Sequence, residues 1–314
     1  MGLTIYSDHF SGDVSPEAAR NLFKSSIVKV EVEPFTYCNR VCWFCPNSKI
    51  DRRSTNKYMA EELYLRILSD LASIDYKGAI TWCRYNEPLA DRIILTRIKQ
   101  ARDMLPEAFL YTHTNGDYLK LPYLGELRDA GLNQLKVQVY LGPNDRFSDT
   151  AMLTRMTQRL MDLGLRFEFT RVHAGDRYVA KVRYEGVEVT FEGWNYDKHA
   201  NDRAQTVTVS QVPNRTSPCL IPFTEIYIDY DGSMTPCCNI RSDEPTHKPY
   251  IVGDLGGGRS IFDVYADRQL ASWRKSLAPF GEKAKPCNTC GFATLPGTPE
   301  IKDNFARVLR GVGI

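Results

Sequence analysis

Ile27-Val-Lys-Val-Glu-Val32 runs through Glu33 and Pro34 into Phe35-Thr-Tyr-Cys-Asn-Arg-Val-Cys-Trp-Phe-Cys-Pro46. The first segment alternates as a strand and delivers the chain into a loop with Cys38, Cys42 and Cys45 at Cys-x3-Cys-x2-Cys spacing. Three closely spaced thiolates are one short of a closed four-thiolate site. A [4Fe–4S] cluster held by three cysteines leaves one iron open to a non-protein ligand, and chemistry can take place there. Zinc with a remote fourth ligand and buried free cysteines are the other readings. Zinc knots favour Cys-x2-Cys pairs, which an x3 gap followed by x2 suits poorly.

Outward from this loop the chain alternates strand and helix. Helical periodicity is expected over 58–73, 92–104, 122–130 and 151–163, with strands at 78–82, 109–113, 135–140 and 166–171. Such alternation implies parallel βα units, hence an open or closed α/β barrel whose site lies at the carboxyl ends of the strands. The cysteine loop follows the first strand and so falls at that end. The pattern changes at 178–184 and 187–191, which flank Glu185-Gly186 as a hairpin added to the barrel. A second hairpin is expected from 225–229 to 233–237, after a linker at 213–218, with a helix over 260–277.

Composition narrows the class. Apolar residues at 43% and charged residues at 25% are ordinary for a globular protein. A net charge of +2 gives no global reason to expect nucleic acid or an anionic membrane. The start carries no basic region with a long apolar core, and no stretch approaches a membrane span, so the expected compartment is the cytoplasm. Nine cysteines without an export signal point to metal or redox use rather than disulfides.

The cysteine run, with Phe44 just before its last cysteine, resembles the signature of the radical S-adenosylmethionine (SAM) superfamily. Tyr85-Asn-Glu-Pro88 follows the second strand and is similar to the Gly-Glu-Pro segment that binds the SAM amino group, with Asn86 in place of the usual glycine. His113-Thr-Asn-Gly-Asp117 follows the third strand and resembles the Thr-Asn-Gly segment near the adenosine. Each tripeptide alone is weak; the ordered set at successive strand ends is strong. The resemblance implies a lead-in at 1–26, a partial (β/α)6 barrel over 27–212, and a small C-terminal domain of hairpin plus helix at 213–314.

Four later cysteines fit that last domain. Cys219, Cys237, Cys287 and Cys290, with Asp231-Gly-Ser-Met-Thr-Pro-Cys237, look like the twitch form of the SPASM auxiliary-cluster domain. No cysteine follows Cys290, where a full SPASM domain would bring more. Four thiolates are enough to close a second [4Fe–4S] cluster; an all-cysteine zinc site is the bland alternative. Cys237 is favoured over Cys238 as the ligand by its 18-residue spacing from Cys219. Cys83 reads as a small buried hydrophobe.

The resemblance implies roles for further residues. Cys38, Cys42 and Cys45 would hold the cluster that binds SAM, Glu87 would take the SAM ammonium, and Phe44 would pack near the adenine. Asn86, Thr114, Asn115, Gln138 and Arg171 are expected SAM contacts, with Gln138 toward the ribose and Arg171 toward the carboxylate. Tyr85, His199 and Arg203 are the candidate catalytic residues, with Arg84, Trp194 and Asn201 nearby; each also has an ordinary structural reading. The family pattern that this chain resembles best carries glutamate two positions after the second auxiliary cysteine, where this chain has Asn239.

The implied function is a two-electron oxidation of a small polar substrate (an aminocyclitol, sugar or nucleoside) in natural-product biosynthesis. Two [4Fe–4S] clusters and SAM would serve it, with a flavodoxin or ferredoxin as electron donor. The alternative is a peptide-modifying radical SAM enzyme, which would want a recognition domain that the 37 residues before Cys38 do not supply. A nucleotide-cyclising relative would end in Gly-Gly, whereas this chain ends Gly311-Val-Gly-Ile314. A zinc-stabilised binding module is the reading that needs no enzyme.

Overall fold

The computed structural model describes residues 4–210 and 212–314. Asp8–Ser11 (α1) and Pro16–Ser26 (α2) lead in, and α2 starts on Ser15, whose hydroxyl accepts from the Ala18 N–H ahead of Pro16. Strand β1 (Lys29–Val32) follows. Its alternation does not separate core from water. Val30 and Val32 join the apolar core, while Lys29 and Glu31 point into a polar cavity.

Three βα units come next. They are α3 (Glu61–Ala72) and β2 (Ala79–Thr81), α4 (Ile93–Met104) and β3 (Phe109–Thr114), and α5 (Leu121–Asp129) and β4 (Gln134–Val139). Helix α6 (Asp149–Leu163) is capped by Ser148 and ends at Gly164 in the left-handed region. Three antiparallel strands follow: β5 (Phe167–His173), β6 (Arg177–Val182) and β7 (Glu188–Trp194). The rest comprises α7 (Tyr196–His199), α8 (Ile221–Thr224), β8 (Glu225–Ile228), β9 (Ser233–Thr235) and β10 (Gly253–Asp254). Helices α9 (Ile261–Tyr265), α10 (Arg268–Leu277) and α11 (Pro299–Gly311) close the chain.

All ten strands form one sheet in the order β10-β9-β8-β1-β2-β3-β4-β7-β6-β5. The stretch β8-β1-β2-β3-β4-β7 is parallel throughout, which gives the six strands of a (β/α)6 partial barrel. Two of the six are not where the periodicity puts them. The stretch 166–171 is not the fifth parallel strand: β5 lies at the sheet's edge, paired only with β6, and Glu168 and Arg171 are exposed. The fifth place belongs to β7, the second arm of the hairpin expected as an addition. Val189 and Phe191 are buried there, and Gly193 lets α6 close over the strand, since a Cβ would meet the Met152 sulfur at 2.5 Å. The sixth is β8, which pairs with β1 (Val30 opposite Ile226), so the sheet runs unbroken across residues 212–213.

A second apolar cluster of Ile5, Phe10, Phe223, Ala278 and Leu309 ties the first residues to α8 and α11. Helix α11 was outside the sequence expectations; it buries Leu309 and packs Phe305 against the same cluster. Among the described residues no helix is long and apolar enough to cross a membrane.

Candidate active site

A cavity of about 340 Å³ opens at the carboxyl ends of the parallel strands, and Cys38, Cys42 and Cys45 all line it. The loop that carries them has little regular structure and is held by side chains. Asp117 accepts from Asn39 Nδ2 at 2.8 Å and from Arg40 Nε and Nη2 at 2.6 and 2.7 Å. Buried Arg52 pairs with Glu33 at 2.5 Å and Asp243 at 2.7 Å, and its carbonyl accepts the Cys38 N–H. Burial pushes the free thiols of Cys38 and Cys42 up to about 12. Buried thiolates of this kind need a cationic partner, and a metal cluster supplies one.

Glu87 and Asn86 face the same cavity from the end of β2. Glu87 accepts from the Asn115 N–H at 2.7 Å, the Thr114 hydroxyl at 2.5 Å and the Leu89 N–H at 3.0 Å. Burial nevertheless raises its carboxyl to about 7. Both amide atoms of Asn86 are buried without a partner. An orphaned amide beside a desolvated carboxyl is costly in a closed protein and fits a site that receives a polar ligand. The residues present therefore suit a cluster-bound amino acid moiety such as that of SAM.

The opposite wall is aromatic. Phe44 stacks on Tyr196, ring centroids 3.7 Å apart and 5° from parallel, and both rings line the cavity with Tyr140. Gln138 also lines it, with Nε2 donating to the Glu192 carbonyl at 2.9 Å. His113 lines the floor, where burial, then Lys136 and Lys29, lowers its pKa to about 3 and keeps the ring neutral.

Tyr85 and Arg203 reach the cavity from the side of β8. The Tyr85 hydroxyl donates to the Cys238 carbonyl at 2.7 Å. Arg203 begins a run of three residues with positive φ (48°, 54° and 69° at Arg203, Ala204 and Gln205). Such conformations cost about 1–2 kcal/mol per residue. The turn is held from outside: Asn201 Oδ1 accepts the Arg203 N–H, His247 Nε2 meets the Ala204 carbonyl, and Gln205 Nε2 donates to Asn288 Oδ1.

Beyond Arg203 lie the four later thiols. Burial pushes up Cys219, Cys237 and Cys287; Cys237 is raised further by Cys238, Cys287 and Cys219, and Cys287 by Cys219 and Cys290. Buried Arg215 straps the segment together, donating to the carbonyls of Ser217 and Pro218 on one side and of Cys290, Phe292 and Ala293 on the other. Cys238 points elsewhere: it lines the cavity, and its charged neighbours are Arg203, Glu31, Lys29 and Glu225. Among the described residues, no three His, Cys, Asp or Glu side chains converge on a single-ion centre. Four neighbouring thiols are enough to close a multi-iron cluster.

The structure thus brings Phe44, Tyr85, Asn86, Glu87, Thr114, Asn115, Gln138 and Arg203 to the cavity of the cysteine triad, and Arg84 as well. Arg171 and His199 are not among them. Arg171 is exposed on edge strand β5, because β7 takes the place next to β4. His199 is exposed at the end of α7, where Nε2 meets Asp176 at 2.5 Å and the ring packs edge-on against Trp194. Trp194 is itself covered by Arg177, 4.0 Å from its ring centre, outside this cavity. The sequence reading missed Tyr196, Lys29, Glu31 and Tyr227, all cavity residues. The charged alternate positions of β1 were the available signal, since a parallel barrel strand covered by helices has no solvent face.

Comparison with known proteins agrees with this geometry. Residues 219–291 match SPASM, described as an iron–sulfur cluster-binding domain. The chain is 24% identical over 264 residues to S-adenosyl-L-methionine-dependent 2-deoxy-scyllo-inosamine dehydrogenase of Niallia circulans, covering 83% of this chain and 91% of that protein. The crystal structure of BtrN in complex with AdoMet and 2-DOIA aligns with a TM-score of 0.58 and 23% identity, over 80% of this chain and 87% of that one. The open conformation of BtrN aligns at 0.55 and 22% identity, over 84% and 92%. The chain therefore shares the fold of these structures, and its residues 219–291 match an iron–sulfur cluster-binding domain of the SPASM type.

Proposed function

We propose that this chain is a radical SAM oxidoreductase that oxidises a small polar molecule (an aminocyclitol, sugar or nucleoside) by two electrons. The observation that carries it is a pair of thiol groups: three line the cavity with Arg203, and four others neighbour one another where Asn239 reaches from Arg203 to Cys290. The similar dehydrogenase of Niallia circulans, named for an aminocyclitol substrate, gives the reaction class. Cys38, Cys42 and Cys45 would hold one [4Fe–4S] cluster with SAM on its open iron. Cys219, Cys237, Cys287 and Cys290 would hold the other. Together these groups would supply a carbon-centred radical to remove a substrate hydrogen atom and an acceptor for the second electron.

The protein's part is positioning and exclusion of water. Glu87, as a carboxylate, offers the SAM ammonium a charge-assisted contact, and Asn86 lends its free amide. Phe44 and Tyr196 wall off the adenine side, while Thr114, Asn115 and Gln138 bound the nucleoside. Arg203 and Tyr85 face the substrate next to the second thiol group. A cavity of about 340 Å³ is in the size range of small-molecule sites. We place the enzyme in the cytoplasm with a flavodoxin or ferredoxin as its reductant.

Anaerobic reconstitution should load about eight irons per chain. Reduced protein given SAM should then release 5′-deoxyadenosine, and no release after full loading would end the enzyme reading. Deuterated aminocyclitols, sugars and nucleosides, tested beside peptides, should pass label into 5′-deoxyadenosine from the small molecules only.

A further inference from the structure

Asn239 is buried between the cavity and the later thiols, and three of its groups are engaged at once. Its Oδ1 accepts from Arg203 Nη1 at 3.2 Å. Its Nδ2 lies 3.8 Å from the Cys290 sulfur as a donor, and its backbone N–H is a hydrogen-bond partner of the Cys237 thiol. The amide orientation follows from chemistry: a guanidinium only donates, so the atom facing Arg203 is the oxygen and the NH2 must turn toward Cys290. Cys290 also receives the Phe292 N–H at 3.4 Å. Arg203, in turn, has a buried Nε without a partner, so it is not fully used within the protein.

We propose that Asn239 is a positioning residue that raises the reduction potential of the auxiliary cluster and links it to what Arg203 holds. The inference rests on reading Cys219, Cys237, Cys287 and Cys290 as a cluster site. An N–H aimed at a thiolate sulfur disperses negative charge and favours the more negative, reduced cluster. The Arg203 contact polarises the amide and strengthens that donor. A cluster that must accept an electron from a substrate radical benefits from a raised potential, and its tuning residue here touches the side chain that faces the substrate. A carboxylate at 239 would do the reverse: it would pair with Arg203 but present no N–H to Cys290.

The test is a redox titration of the loaded protein, followed by electron paramagnetic resonance. The auxiliary signal is assigned in a Cys38→Ala, Cys42→Ala, Cys45→Ala background that keeps only the second cluster. Asn239→Leu and Asn239→Asp should both shift that cluster to a more negative potential, the aspartate further, with the SAM-binding cluster unmoved. Arg203→Gln should shift it the same way by less. An auxiliary potential unchanged in both Asn239 variants overturns the proposal. Where the leucine variant loads poorly, the near-isosteric aspartate decides. A wild-type protein that binds only about four irons, all lost in the triple variant, would instead overturn the underlying cluster assignment.

Discussion

Phe44 and Tyr196 lie face to face, 3.7 Å between ring centroids. The contact joins the cysteine loop to the first residue of α7, seven positions before Arg203, so one stack sets the distance between two walls of the cavity. Aromatic pairs add about 0.5–1.5 kcal/mol beyond area burial. Tyr196→Phe should keep the stack and lose little stability. Tyr196→Ala should cost about 3 kcal/mol, as large-to-small aromatic changes do, and weaken SAM binding. Urea unfolding and isothermal titration with SAM check both. Equal melts for the two variants would show that the stack holds nothing.

Glu87 makes stability depend on pH. Burial raises its folded pKa from 4.5 to about 7 despite the three hydrogen bonds that its carboxylate accepts. Between those values the folded chain binds more protons than the unfolded one, so stability falls as pH rises. The contribution amounts to about 3 kcal/mol across the window. His9 and His113, both lowered by burial to about 3, act in the opposite direction. The difference between wild type and Glu87→Gln therefore isolates the carboxyl. In the cluster-free protein the variant should gain relative stability from pH 5 to pH 8, and a constant difference across that range would refute the assignment.

Much of this was legible in the chain because the relevant signals are local. Cysteine spacing, Asn86-Glu87-Pro88 and Thr114-Asn115-Gly116 need only a strand before them, and β1, β2 and β3 lie where periodicity puts them. What failed was non-local. Strand β5 alternates like a barrel strand, but only pairing decides that β7 takes its place, with Gly193 leaving room for α6 over it. Arg171 fell with that register, and His199 with the turn of α7 that points it to Asp176. Tyr196 was hidden because an aromatic in a polar loop carries no period, and Glu31 because a charged residue on a strand reads first as solvent-facing.

Arg84 and Asp229 join the end of β2 to the end of β8. Asp229 Oδ1 accepts Arg84 Nε at 2.8 Å and Nη2 at 2.5 Å, and its Oδ2 accepts the Ser242 N–H at 2.6 Å. Both side chains are almost wholly buried. Removing one partner of such a pair leaves an uncompensated charge, which costs about 3–5 kcal/mol. Asp229→Ala should therefore lower the unfolding free energy by that amount in a denaturant titration. Asp229→Asn, which keeps an acceptor, should lose less. A loss under about 1 kcal/mol for alanine would mean that Glu31, 3.9 Å from Arg84 Nη1, can take over the charge.

Cys237 and Cys238 are neighbours in sequence whose side chains serve different spaces. The Cys237 thiol sits with Cys219 and Cys287, while Cys238 lines the cavity beside Arg203. Cys237→Ser should cut the reconstituted iron content from about eight per chain to about four. Cys238→Ser should leave it at about eight, because Cys238 lines the cavity and has none of Cys219, Cys287 and Cys290 among its charged neighbours. The comparison also separates geometry from bulk chemistry, since each variant removes one thiol from the same turn and leaves 5′-deoxyadenosine release from the Cys38, Cys42 and Cys45 site as an internal control. Iron loss in the Cys238 variant, with full loading in the Cys237 variant, would reverse the ligand assignment. It would also take away the backbone geometry on which the Asn239 contact with Cys290 depends.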